Sequence, residues 1–552
     1  MCAVLAAVAL AGCGSSHSDG TEADPAGAVP ASAPLYLGLT VRPTGSEQSG
    51  ALAAGRELTG QSDVFTSLLS ALETPGSAKL DYKRDVEPWL GPHAALFVRS
   101  LSAAESLLGP LQKALTSRGR PSISIGKLDG AIVMDTSDAS SARSFLAAQA
   151  KRDHAHATSY RGVSYEVGGG GIAFGLVGRF AVIGSEAGLR SVIGATQGEP
   201  KLASAGGYSK LAAAAPAGAI GHLFVNAPSD GSTASSSAAG ASGLLALLGG
   251  GRAANVSLLA AARSLTLDVD TLARPGSSAG LLAGGPEAAQ ELSRLPGESW
   301  LALGLGHAAA NLPADVAGLG ALGSLLGGGE EAGATLSLGS LLRGLLEPLS
   351  VLAAPTAAAQ RDFRSWMGAA GVFASGSSVL ELKAAIVIGS SDAARSRAAV
   401  AKLAAALRRQ GEQVTHISIS GSEASMGARL PGVPLELDIA AGPGPAGPEF
   451  VLGLGEASVQ AALAPSQTLA GAAPRSAAAA TLGEGIQPSG LADVPTLLAL
   501  LESVGLTEDP SLAGVLPYLR ATTTLAAGGR PLGGEVERFK LVLGLRQAAA
   551  GQ

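Results

Sequence analysis

The feature that most constrains the fold is a series of local signals that occurs twice, in the same order. Arg84-Asp85-Val86-Glu87-Pro88-Trp89-Leu90-Gly91 is answered by Arg361-Asp362-Phe363-Arg364-Ser365-Trp366-Met367-Gly368. The shared pattern, Arg-Asp-x-x-x-Trp-(Leu/Met)-Gly, uses two of the three tryptophans in the chain. Asp is a good helix N-cap, Trp packs a single turn against a core, and Gly ends a turn at positive φ. Asp85, Trp89 and Gly91, and Asp362, Trp366 and Gly368, are therefore expected to fill those three structural roles.

The neighbouring signals keep the same order. Leu35-Tyr36-Leu37-Gly38-Leu39 and Trp300-Leu301-Ala302-Leu303-Gly304-Leu305 each read as a strand after a turn. Ala131-Ile132-Val133 runs to Thr136-Ser137-Asp138-Ala139, and Ala385-Ile386-Val387 runs to Ser390-Ser391-Asp392-Ala393, in both cases a strand entering a capped, Ala-rich helix. Phe180-Ala181-Val182-Ile183-Gly184 is set against Phe450-Val451-Leu452-Gly453, with short helices from about Glu186 and Glu456.

Strand alternation places Leu265, Leu267 and Val269 on one face and Thr266, Asp268 and Asp270 on the other, and Phe539, Leu541, Leu543 and Leu545 behave alike. The expectation is α+β: two similar lobes from an internal duplication, each a mainly antiparallel sheet covered by helices. The lobes are expected at 34–275, with a disordered Ser/Ala/Gly-rich insertion at 228–243, and at 296–546.

The amino terminus reads as an address. The apolar stretch Ala3 to Gly12 is far shorter than a membrane span, and Leu10-Ala11-Gly12-Cys13 resembles the lipobox of bacterial lipoproteins. That resemblance implies a signal peptide over 1–12, cleavage before Cys13 and lipid on its thiol. The opening Met1-Cys2 lacks the usual Lys or Arg, so the true start is expected further upstream. Residues 13–33 are polar and Pro-punctuated and read as a flexible tether. The expected location is the cell envelope, on the outer face of a membrane.

The strand after the tether, the Asp-Val-Glu-Pro-Trp-Leu-Gly turn and the strand–Ser-Asp–helix unit together resemble the DUF3352 family of exported or membrane-anchored bacterial proteins. The resemblance spans most of the chain after about Ala31. It supports the address and the fold, and implies no catalytic residue.

Composition narrows the function classes. A net charge of −6 without a Lys/Arg cluster gives no electrostatic footprint for nucleic acid. Both cysteines lie within the first thirteen residues, so the mature body has no thiol for catalysis or metal binding. Gly276-Ser277-Ser278-Ala279-Gly280 matches the nucleophile-elbow pattern, but Arg274-Pro275 separates it from the strand that such an elbow needs. Gly318-Leu319-Gly320-Ala321-Leu322-Gly323 follows a helix start and reads as a packing loop, not a dinucleotide site.

His154 and His156 lack further ligands for a metal, His416 reads as surface, and the Asp268/Asp270 pair reads as a polar strand face. Leu-rich stretches at Val316–Leu326 and Leu338–Leu352 would suit core packing or an apolar cavity. No cofactor is expected. The leading expectation is a non-enzymatic envelope lipoprotein, a binding or scaffold module for an envelope protein or polymer. A carrier of lipid or another apolar ligand between the lobes, and a hydrolase at Ser278, are the alternatives.

Overall fold

The computed structural model describes residues 23–59, 81–100, 102–103, 128–226, 252–272, 285–306, 362–409, 411–429, 436–508, 512, 515–533 and 535–546. Cys13, Ser278, the insertion at 228–243, the Gly-rich loop at 318–323 and both Leu-rich stretches lie outside them.

The first part of the chain runs β1 (Leu35–Thr40), α1 (Gly45–Thr59), β2 (Leu90–Val98), β3 (Gly130–Thr136), α2 (Ala139–Arg152), β4 (His156–Tyr160), β5 (Val163–Val167), β6 (Ile172–Val177), β7 (Phe180–Ser185), α3 (Glu186–Thr196), α4 (Gly206–Ala214), β8 (Gly221–Asn226), β9 (Ala253–Ala261) and β10 (Ser264–Leu272). The second runs α5 (Pro286–Arg294), β11 (Leu301–Leu305), β12 (Met367–Ser375), β13 (Lys383–Ser390), α6 (Ala393–Arg409), β14 (Gln413–Thr415), β15 (Ala424–Arg429), β16 (Leu437–Gly444), β17 (Gly447–Leu454), α7 (Glu456–Leu463), α8 (Ala473–Leu482), β18 (Gln487–Asp493), α9 (Val494–Ser503), α10 (Leu516–Ala521), β19 (Thr522–Gly533) and β20 (Val536–Leu545).

All twenty described strands belong to one sheet, and every ladder in it is antiparallel. From edge to edge the pairings give β4-β5-β6-β7-β3-β2-β1-β8-β9-β10, then β20-β19-β18-β11-β12-β13-β17-β16-β15-β14. Each half names its strands in the same relative order, counted from its own edge. The two meet in the β10–β20 ladder, from Ser264 opposite Gly544 to Leu272 opposite Val536.

The register carries the correspondence to single residues. Starting from Ala131 in one half and Ala385 in the other, the paired residues inward are Phe97 and Phe373, then Tyr36 and Ala302. The next are Phe224 and Leu491, Asn255 and Ala526, and Asp270 and Val542. Two residues back along each central strand, Asp268 corresponds to Lys540, and the two face each other across the join.

Helices cover both faces of the sheet. On one face α3 and α4 pack over Phe97, Val133 and Val182, and α7 and α8 over Phe373, Val387 and Val451. On the other, α2 packs with Trp89, α6 with Trp366, and Ala51 and Ala54 of α1 lie over the middle with Leu258, Leu267 and Leu541. Burying a sheet on both faces removes the most apolar area from water, at about 25 cal/mol per Å².

Two expectations need correction. The tether does not extend to residue 33: Asp24 caps a short 3-10 turn at Pro25–Gly27, and Ala26, Ala28, Val29 and Ala33 are fully buried against the first half. Small side chains pack there without aromatic bulk, and Pro30 forms a bridge to Lys201. A matching bridge joins Pro296 to Thr468 in the second half. That half begins earlier than 296, because α5 packs on β11, β12 and β18.

The fourth sequence match is also offset by one. The ladders place Phe180 opposite Asp135, and Glu449, not Phe450, opposite the corresponding Gly389. A one-residue slip changes the face on which a side chain lies. Phe180 accordingly packs with α3, whereas Phe450 packs against Trp366 on the other face.

Candidate functional site

The repeated turn is a packing device in both halves. Trp89 and Trp366 are 2% and 1% exposed. The Trp89 indole Nε1 donates to the Asp85 carbonyl at 2.8 Å, and its ring lies 5.0 Å from that of Phe145 in α2. Trp366 stacks obliquely with Phe363 and Phe450. Each turn is latched to the following strand–helix unit: the Ser137 N–H donates to the Trp89 carbonyl at 2.9 Å, and the Ser391 N–H to the Trp366 carbonyl at 2.8 Å. Asp138 and Asp392 then cap α2 and α6, each accepting two backbone N–H groups.

The turn's acidic and glycine residues do other work than expected. Asp81, not Asp85, caps the first turn, and Asp85 closes it by accepting the Asp81 N–H at 2.9 Å. The Arg84 guanidinium, with the Asp81 N–H, holds the Asp85 carboxyl down to about 2. Asp362 pairs with Lys402 of α6, which lowers its pKa.

Gly91 and Gly368 lie in strands at ordinary φ. Gly91 is required by close approach, since a Cβ there would sit 2.5 Å from Asp135 Oδ2. At Gly368 the nearest atom, the Gly389 carbonyl oxygen, is 3.3 Å away.

The densest polar chemistry among the described residues lies at the middle of the sheet. Asp268 and Asp270 are 2% and 0% exposed, so the polar strand face expected of this pair is a buried one. Asp270 lies opposite Arg538 in the ladder and receives two of its donors, Nε at 2.7 Å and Nη2 at 2.8 Å, while Nη1 lies 3.6 Å from Asp268 Oδ2. Arg538 Nη2 also donates to the carbonyl of Ala214, the last residue of α4, at 2.6 Å. Lys540, opposite Asp268, donates to the carbonyl of Leu482, the last residue of α8, at 3.4 Å. Each central cation thus meets the negative end of one covering helix, one in each half.

Burial raises the pKa of Asp268, offset by Lys540 and Arg538, while the hydrogen bond to Asp270 raises that of Arg538. Beside this network His222 Nδ1 lies 3.2 Å from Ser257 Oγ, which also receives the Asn255 amide at 3.1 Å. Burial lowers the His222 pKa, and Ser257 is fully buried. A nucleophile must be reachable by its substrate, and this hydroxyl is not. The arrangement joins two halves and closes two helices.

Of the other candidates, His154 sits in a turn at φ +50°, His156 opens edge strand β4, and His416 is exposed. Among the described residues no three His, Cys, Asp or Glu side chains form a metal-ligating cluster, and no helix is long and apolar enough to cross a membrane. Sequence reasoning missed Arg538 and Lys540. The signal was available: Arg538-Phe539-Lys540 repeats the spacing of Asp268-Val269-Asp270 with opposite sign.

The fold and these contacts define a mixed helix–strand protein organised on one large antiparallel sheet. The family model described as "Protein of unknown function (DUF3352)" matches residues 1–437, and the chain belongs to that family. The comparison with curated proteins gives no match. Among solved structures, two crystal forms of TP0453 align at a TM-score of 0.26. Form I is 10% identical and covers 47% of this chain and 82% of its own. Form III is 12% identical and covers 47% and 83%.

Proposed function

We propose that this chain is a lipid-anchored protein of the cell envelope whose folded part, built by internal duplication, is a non-enzymatic binding or scaffold module. The observation that carries the reading is the central join. Its two aspartates are buried, and its two cations, partly buried, are engaged with Asp270 and with two helix ends, which supports a bracing role for these charges rather than a role in binding a substrate. The repeated strand order and the matching bridges at Pro30 and Pro296 support the duplication. The lipobox at Cys13 supports the address, with lipid on that thiol holding the protein on the outer face of a membrane. An envelope protein or polymer is the partner class, recognised by the outer surface of the module.

The test is membrane fractionation with acyl-chain labelling of the native protein and of Cys13→Ala. Loss of both label and membrane attachment in the variant supports the address; an unlabelled protein that stays on the membrane overturns it. Crosslinking in intact cells then tests the module: a specific copurifying partner is expected, and repeated recovery of none counts against a binding role.

A further inference from the structure

At the outer end of the second half, three oxygen atoms converge on one point over Gly427. A Cβ on that glycine would sit 2.7 Å from Thr415 Oγ1, 2.8 Å from Glu436 Oε1 and 3.1 Å from Asp438 Oδ1. Asp438 is 4% exposed, and its Oδ1 has no hydrogen-bond partner. The Thr415 hydroxyl donates to Glu436 Oε1 and to the Gly427 carbonyl, each at 3.3 Å, so an ion at this point would take the place of its bond to Glu436. Neighbouring ligands at right angles around a calcium ion, each about 2.4 Å from it, are separated by roughly 3.4 Å.

The other half supplies an internal comparison. Walking outward from Ala385, the ladder passes Gly453, Asp438, Gly427 and Thr415. Walking outward from Ala131, it passes Gly184, Ala173, Val167 and His156. Where the first half packs buried Val167 and Ala173, the second has a glycine that opens space and an acid that points into it. Packing alone would favour the apolar pair, because an unpartnered buried carboxylate costs stability.

We propose that Thr415, Glu436 and Asp438 form a divalent-cation site of the hard, oxygen-seeking class, filled by calcium and completed by water. Two carboxylates neutralise the ion, the Thr415 hydroxyl supplies a neutral ligand, and the exposed Glu436 forms the entry side. Glu456, in the first turn of α7, adds negative potential near Asp438. A site with this few protein ligands belongs to the weak range of extracellular modules, roughly 10⁻⁴ to 10⁻³ M.

The experiment is calorimetric titration of the chelator-treated full chain with calcium chloride, and separately with magnesium chloride, alongside thermal unfolding with and without each ion. The expected result is one saturable calcium site, a higher Tm with calcium, and at least tenfold weaker binding in Glu436→Gln and in Asp438→Asn. Gly427→Val, which copies the first half, is expected to abolish binding while the protein remains folded. Glu436 is exposed, so its variant reports on binding even where Asp438→Asn lowers stability. Absence of calcium heat and of any Tm shift up to about ten times the weak end of that range would overturn the site. So would calcium binding unchanged in both carboxylate variants, and so would a clear preference for magnesium.

Discussion

Glu449 shows how one buried side chain sets the response of the molecule to pH. It is 5% exposed, and burial, with the nearby Glu291 carboxylate, pushes its pKa from 4.5 up to about 8 against the opposing pull of Arg294. Between those values the unfolded chain has released a proton that the folded chain keeps, so rising pH favours unfolding. The contribution is fully present below about pH 4.5 and is lost as pH climbs through 8, with a ceiling on the order of 5 kcal/mol. Denaturant midpoints measured from pH 5 to 8.5 should fall more steeply in the native protein than in Glu449→Gln; equal slopes would refute the assignment. Gly91 makes a steric prediction. Gly91→Ala should cost about 1–3 kcal/mol, since Asp135 is buried and held by Arg179 at 2.7 Å. Gly368→Ala should cost clearly less, and thermal unfolding of the two variants compares them directly.

At the scale of elements, much was legible because the signals were local. The Ser-Asp caps of α2 and α6, the strands that precede them and the buried tryptophans follow from residues within a few positions of one another. Asp138→Ala and Asp392→Ala should each cost about 1 kcal/mol through their helices, and Trp89→Ala or Trp366→Ala about 3–5 kcal/mol. Chemical denaturation would rank them, and a tryptophan variant milder than a cap variant would contradict the packing role. What failed to show in the sequence depended on distant chain. Alternation correctly grouped Asp268 with Asp270, but whether that face meets water depends on α4 and α8, far away in sequence. The role expected of Gly91 and Gly368 failed for a related reason: a glycine can answer either to backbone conformation or to a close neighbour, and only the folded neighbour distinguishes them. Phe180 and Phe450 looked alike because identity of residue type was read without register.

For the whole molecule, the β10–β20 ladder joins two runs of ten strands into one sheet, so a single cooperative unfolding transition is expected. Arg538→Ala would leave Asp270 buried without its cation and the end of α4 without its donor, at a cost of about 3–5 kcal/mol. The expected record is one unfolding transition at lower temperature, with near- and far-ultraviolet circular dichroism coinciding; two separated transitions would show that the halves melt independently. Ending the chain at residue 275 should likewise give an aggregating or oligomeric fragment, because β10 becomes a bare edge. A folded monomer from that fragment, by sedimentation, would refute it.

The charges at the join also decide who may exchange with whom. In this register, β10 against a second β10 would set Asp268 against Asp268, and β20 against a second β20 would set Lys540 against Lys540. Like charges directly opposite disfavour both pairings, whereas the unlike strands match. The same register permits a reciprocal swap between two chains, in which β10 of each takes β20 of the other. Such a dimer would keep the strand pairing of the central join while tying halves of two chains into each sheet.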